Sequence, residues 1–244
     1  MKKLVSVIAL CAVVTPALSA TKAARPSYLS RNSNGGYDVT YKYTDKEKSG
    51  WYASLRAELA LLNWKNKYSL AGESVGEEKF SFKALFAPDF AFGKRFNYFW
   101  RAEVEAGYIS KYSDEDEGYK FALSVPYAIA NGYYDFSNGL YVGAGLGVAF
   151  PMTELVNDAF VGGDGKKTGV SPMGALMVGF AHTLDDNIVL DVRYRLAGFN
   201  GTTHSRQYTS NPSLEPAELR GKTMENKIGL ILDNSISVGI RYEF

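Results

Sequence analysis

Apolar and polar side chains alternate with a period of two along most of the chain. That period marks strands whose two faces meet different surroundings. In residues 98–108, Tyr98, Trp100, Ala102, Val104, Ala106 and Tyr108 share one face, opposed by Phe99, Arg101, Glu103, Glu105 and Gly107. Trp51, Ala53, Leu55, Ala57, Leu59 and Leu61 oppose Tyr52, Ser54, Arg56, Glu58 and Ala60. Phe80, Phe82, Ala84 and Phe86 oppose Ser81, Lys83 and Leu85. Phe121, Leu123, Val125, Tyr127 and Ile129 oppose Lys120, Ala122, Ser124, Pro126 and Ala128. Leu140, Val142, Ala144, Leu146 and Val148 oppose Tyr141, Gly143, Gly145, Gly147 and Ala149. Ile188, Leu190, Val192, Tyr194 and Leu196 oppose Asp191, Arg193 and Arg195. Ile236, Val238, Ile240, Tyr242 and Phe244 oppose Ser237, Gly239, Arg241 and Glu243. Residues 170–182 form the least regular segment, with Leu176, Val178 and Phe180 on its apolar face. No helical stripe is present, so the pattern predicts an all-β chain.

The connections alternate as well. Short ones fall near residues 93–97, 135–139 and 184–187; long polar ones fall near 63–79, 110–118, 151–169 and 200–222. Short periplasmic turns and long extracellular loops are the habit of a transmembrane barrel. The expected fold is an eight-stranded antiparallel transmembrane up-and-down β-barrel over residues 50–244. Its lumen would hold the charges of the polar faces: Arg56, Glu58, Lys83, Arg101, Glu103, Glu105, Lys120, Asp191, Arg193, Arg195, Arg241 and Glu243. Their signs nearly balance, as buried charges must. Gly143, Gly145, Gly147, Gly179 and Gly239 make room beside them. Aromatics near the short turns predict an interfacial girdle: Phe90, Phe92, Phe96, Tyr98, Phe99 and Trp100, then Tyr133, Tyr134, Phe136 and Tyr141, then Tyr242 and Phe244.

A ten-strand alternative would add residues 36–43 as a strand and make Asp233 and Asn234 a turn. It would leave Phe244 on the outside, so eight strands are favoured, with residues 228–244 as one long strand.

The chain begins with Met1, Lys2 and Lys3, an apolar run over residues 4–14 and a small-residue exit at Ser19 and Ala20. That order predicts a secretory signal peptide over residues 1–20, cleaved after Ser19 or Ala20. Residues 21–49 follow as a polar arm, either periplasmic or a partial lumen plug. Composition changes the picture little. The 244 residues carry 27 Lys and Arg against 26 Asp and Glu, a formal charge of +1 that argues against nucleic acid as a partner. The one cysteine, Cys11, excludes a disulfide framework and leaves with the signal peptide.

Residues 133–136 leading into 141–149, residues 185–194 and residues 237–244 carry a resemblance. With the export signal and the final aromatic, they resemble small bacterial outer-membrane β-barrels, above all the opacity-protein/OmpA-type barrel family. The likeness extends over residues 50–244. It implies that the last strand is read by the outer-membrane assembly machinery through Val238, Ile240, Tyr242 and Phe244. It also implies periplasmic chaperones during biogenesis, outer-membrane lipids around a monomer, and no peptidoglycan-binding domain after Phe244.

Chemistry is sparse. Barrel enzymes that modify lipid A need a histidine or paired carboxylates at the right depth. Only His182, beside Asp185 and Asp186, and His204, in the longest loop with Thr203 and Ser205, are available. A solvated loop role is expected for His204. The acidic tip over residues 114–118 and the glycine-rich residues 162–165 lack a full set of cation ligands. The Asn200-Gly201-Thr202 sequon has no meaning behind a bacterial signal. No catalytic, metal or cofactor site is expected. The expected roles are envelope integrity and surface contacts through the long loops, with a host or surface ligand unidentified; the alternatives are a narrow pore and, behind it, a lipid A-modifying enzyme.

Overall fold

The structure, a computed structural model, describes residues 28–31, 37–40, 50–116, 119–157, 165–207 and 221–244. The expected signal peptide, most of residues 21–49 and residues 162–164 lie outside these. The chain divides into two units between Ser49 and Gly50. In the first, β1 (Tyr28–Arg31) and β2 (Tyr37–Thr40) pair antiparallel.

The second unit holds β3 (Gly50–Leu70), β4 (Glu73–Arg95), β5 (Trp100–Asp116), β6 (Tyr119–Asp135), β7 (Leu140–Ala149), β8 (Met152–Asn157) and β9 (Lys166–Thr168). It continues with β10 (Ser171–Thr183), β11 (Ile188–Asn200), β12 (Thr203–Gln207), β13 (Thr223–Ile228) and β14 (Leu230–Glu243). Strands β3, β4, β5, β6, β7, β10, β11 and β14 form a closed antiparallel ring, because β3 pairs with both β4 and β14. Closure removes the unpaired edges that a lipid environment cannot satisfy. Asp233 lies inside β14 opposite Leu62, so no turn divides that strand. Residues 228–244 are nevertheless not continuous: Gly229 interrupts them, and β13 and β14 pair with β3 one after the other.

The long polar connections are largely strand. Residues 63–79 form a hairpin closed by Ala71 and Gly72, both at positive φ, as a two-residue hairpin turn requires. β5 and β6 likewise pair as far as Asp116 and Tyr119, and β8, β9, β12 and β13 extend the other two connections.

Which way each face points separates a membrane barrel from a soluble one. Leu55, Val104, Leu146 and Leu176 are each more than 60% exposed, while Arg56, Glu105, Arg193 and Arg195 are 3% exposed or less. Apolar residues outside and ions inside is the membrane arrangement. Along β3 the apolar face from Trp51 to Leu61 spans about 33 Å of strand, or about 25 Å of height after barrel tilt, matching the apolar band of such barrels. Around the short-turn end, Trp51 stacks on Phe92 at 5.3 Å, and Phe99, Trp100 and Phe136 surround Tyr134.

Two strands depart from the expected faces. Phe121, Leu123, Val125, Tyr127 and Ile129 of β6 point into the lumen, all 3% exposed or less. Ser124, Pro126, Ala128 and Ala130 take the outer face instead. Small residues there make the outer face of β6 the less apolar one, so alternation alone suggests the reverse. On β4, Phe80 is inside whereas Phe82, Ala84 and Phe86 are outside. A bulge lies between them, since Leu62 and Trp64 of β3 oppose Lys83 and Phe80. The extra residue flips the face. Phe82 sits at φ 54°, and its N–H donates to Asn63 Oδ1 at 3.1 Å.

The narrow lumen is packed by a repeated device. Tyr52, Tyr127, Tyr133, Tyr141 and Arg56 lie directly opposite Gly93, Gly107, Gly143, Gly179 and Gly239 on neighbouring strands. A Cβ at any of these glycines would come within 2.4 Å of the partner's side chain. Gly143→Ala is therefore expected to destabilise the barrel by about 1–3 kcal/mol. Gly132→Ala, where a Cβ meets open space, should be nearly neutral. Urea unfolding in lipid vesicles, followed by the gel shift between folded and heated protein, measures both.

Candidate functional site

The candidate site is the lumen itself, filled from the short-turn end upward. At the bottom, Arg95 bridges Asp135 at 2.8 Å and Glu243 at 3.2 Å, and Arg101 reaches Asp135 at 3.0 Å. Arg241 joins Asp191 at 3.3 Å and Glu243 at 3.1 Å. The Arg101 guanidinium lies 3.9 Å from the Tyr133 ring centroid and 4.5 Å from that of Tyr141, within cation–π range.

The middle layer centres on Glu105. It accepts from Arg56 Nη2 at 2.9 Å, Arg193 Nη1 at 2.7 Å, Arg195 Nη1 at 2.8 Å, Tyr127 Oη at 3.0 Å and Asn131 Nδ2 at 2.9 Å. Arg56 also holds Asp89 at 2.7 Å and Glu103 at 3.0 Å, and Arg195 holds Asp233 at 3.0 Å and Glu58. Carboxylates outnumber guanidinium groups in this lumen, and a buried carboxylate needs donors. Tyrosines supply the remainder: Tyr52 and Tyr133 donate to Glu103, and Tyr141 donates to Asp191 at 2.6 Å.

Above the ions the lumen turns apolar. Trp64 stacks on Phe80 at 4.8 Å, with Tyr112 and Phe121 against them. Leu62, Ile109, Leu123, Leu155, Met173, Phe199 and Ile231 complete this upper core.

Of the expected lumen charges, Arg56, Glu58, Arg101, Glu103, Glu105, Asp191, Arg193, Arg195, Arg241 and Glu243 come together here. Two do not join. Lys83 turns inward opposite Leu62, but at the upper end, with its ammonium 5.0 Å from the Tyr112 ring. Lys120 pairs with Glu115 on the projecting β5–β6 hairpin, because β6 has the opposite facing from the one expected. Tyr133 and Tyr141, expected in the aromatic girdle, are buried lumen residues instead. The sequence reading missed Asp89, Arg95, Asn131, Asp135 and Asp233. Asp89 falls within an apolar stretch and Asp233 beside Asn234 resembles a turn; only their place in the two-residue alternation could have flagged them.

His182 lies at the short-turn end of β10, as expected, and His204 departs from expectation. His182 stacks on Phe180. His204 is not solvated: it is 4% exposed, with Nε2 2.6 Å from Thr153 Oγ1, which in turn lies 2.6 Å from Thr202 Oγ1. Among the described residues, no group of three or more His, Cys, Asp or Glu is placed to hold a metal ion.

Removing one member of a buried ion network leaves uncompensated charge, at a cost of about 3–5 kcal/mol. Glu105→Ala, which strands Arg56, Arg193 and Arg195 together, is expected at or above that range. Tyr127→Phe, which removes a hydroxyl bonded to Glu105 and Arg195 but strands no whole charge, should cost less, about 1.5–3 kcal/mol. Urea midpoints of the two variants in the same vesicles check the order.

No protein-family model matches the sequence, and no curated protein matches it. Solved structures do. The outer membrane protein OprG from Pseudomonas aeruginosa aligns with 81% of this chain and 97% of its own at 14% identity and a TM-score of 0.51. Neisserial surface protein A aligns with 81% of this chain and all of its own at 18% identity and a TM-score of 0.46. The attachment invasion locus protein of Yersinia pestis aligns with 80% and 99% at 11% identity and a TM-score of 0.41. With its lipid-facing belt, the chain is a barrel of the outer membrane and has the fold of the small antiparallel β-barrels found there.

Proposed function

We propose that the protein is a non-catalytic outer-membrane barrel with a closed lumen, acting in envelope integrity and in surface contacts through its projecting hairpins. The filled lumen supports this reading most strongly. An eight-stranded interior is only wide enough for side chains, and here Arg193, Arg195, Glu105 and the aromatic layer above them occupy it. A steady water path would require these ion pairs to part.

The hairpins support the second half of the reading. β3 continues past Leu61 to Leu70, about 30 Å of strand beyond the belt, paired with β4 along the way. Such a projection is a rigid platform for contacts. The one hydroxyl–imidazole pair described above, Thr153 with His204, is buried on both sides and offers a substrate no approach. Monomeric insertion into outer-membrane lipids, without a cofactor or nucleic acid, completes the proposal.

Assembly is part of it. Val238, Ile240 and Tyr242 on β14 and Phe244 directly after it are 47–68% exposed, where chaperones and the assembly machinery could read them.

Planar-bilayer recordings of the purified protein are expected to show no steady conductance; a large steady current would overturn the closed-lumen reading. Replacing residues 68–76 by a two-residue turn should preserve the heat-sensitive gel shift while reducing surface binding. If binding is unchanged with this and the other hairpins trimmed, contact through the hairpins is refuted. Deleting Phe244 should lower the outer-membrane level in cells several-fold without preventing refolding in vitro.

A further inference from the structure

Just above the apolar belt, the outer wall of the barrel changes from leucine to lysine within a few residues. On β3, Leu59 and Leu61 give way on the same face to Asn63, Lys65 and Lys67. On the adjoining strands, Leu232 and Leu230 of β14 give way to Lys227 of β13. Lys79 of β4 lies directly opposite Lys65, and Lys227 directly opposite Lys67. All four lysines are exposed.

Like charges opposite one another on a sheet are destabilising, so this arrangement needs anions. The chain supplies some. Glu77 sits 3.0 Å from Lys65 Nζ, and Lys65, then Lys67 and Lys79, hold its carboxyl below the usual range. Glu225 also faces outward on β13. The lysines still outnumber them. No ion pair among the described residues engages Lys67, Lys79 or Lys227.

The four lysines, Leu230 and Leu232 line one groove of about 550 Å³. Its lower wall is apolar and continuous with the belt. Its upper wall is cationic, at the height where lipid headgroups begin. A soluble anion would use the lysines and leave the leucines idle, whereas a lipid uses both.

We propose that this groove binds a phosphorylated lipid of the surrounding outer leaflet. Its phosphates rest among Lys65, Lys67, Lys79 and Lys227, and an acyl chain lies along Leu230 and Leu232. Lysine suits phosphate as a compact point charge. The site lies on the outer wall and is independent of whether the lumen conducts.

The test uses the full chain in bicelles containing equal amounts of phosphorylated lipid A and phosphatidylethanolamine, with retained lipid identified by native mass spectrometry. Wild-type protein should retain phosphorylated lipid A. A variant combining Lys65→Gln, Lys67→Gln, Lys79→Gln and Lys227→Gln should retain about ten-fold less. The four-arginine counterpart should retain it, and dephosphorylated lipid A should be held no better than phosphatidylethanolamine. The heated-versus-folded gel shift establishes that each variant is a barrel. Equal retention by the glutamine variant, or equal retention of the dephosphorylated lipid, overturns the proposal. So does capture of a soluble sulfated polysaccharide by the same lysines without lipid retention, which would assign them to a soluble polyanion.

Discussion

The need to neutralise charge in a space only one side chain deep governs this barrel. Glu105 is where the constraint is most concentrated. Its two oxygens take donors from Arg56 on β3, Tyr127 and Asn131 on β6, and Arg193 and Arg195 on β11. One carboxylate thereby ties together strands from opposite walls. Burying it costs several kcal/mol before any partner is counted, so the partners must arrive together. In lipid, hydrophobic burial gives no net drive to collapse the outer wall, because the tails are as apolar as the side chains. The interior must therefore specify the shape, and here it does so with ion pairs below and aromatic packing above.

That division explains the two kinds of end. Below, Arg95, Arg101 and Arg241 hold the short turns and the last strand to one another through Asp135, Asp191 and Glu243. Above, Trp64, Phe80, Tyr112 and Phe121 close the lumen just where the strands leave the belt. Beyond that closure the hairpins have solvent on their outer side and can carry charge outward, as the pairing of Lys120 with Glu115 does.

Much of this was legible in the sequence because period-two alternation is a local property. The strands, their antiparallel order and ten of the twelve named lumen charges follow from it. Alternation has no sign of its own, however. Charges supplied the sign on β3, β5, β11 and β14. On β6, Lys120 supplied a false one, since it belongs to the hairpin and not to the lumen. Phe80 departs from its alternation for a different reason: one inserted residue beside Phe82 reverses the face, and nothing in the letters marks the bulge. Nearness to a turn suggests the interface for Tyr133 and Tyr141, yet their faces match those of Gly143 and Gly179 on the neighbouring strands. The basic groove leaves no mark in the sequence, because its lysines come from three strands and meet only through pairing across them.

The glycine–tyrosine pairs do something that alternation cannot. Alternation rejects a slip of one residue, because every side chain would change faces. A slip of two preserves the faces and passes that check. It does not pass the glycines. Moved two places, Tyr127 would meet Glu105 or Ile109 in place of Gly107, a collision between large side chains where even a Cβ at Gly107 would come within 2.3 Å of the tyrosine. The glycines thus act as an error-correcting code for strand register, rejecting the even-numbered mistakes that parity leaves undetected.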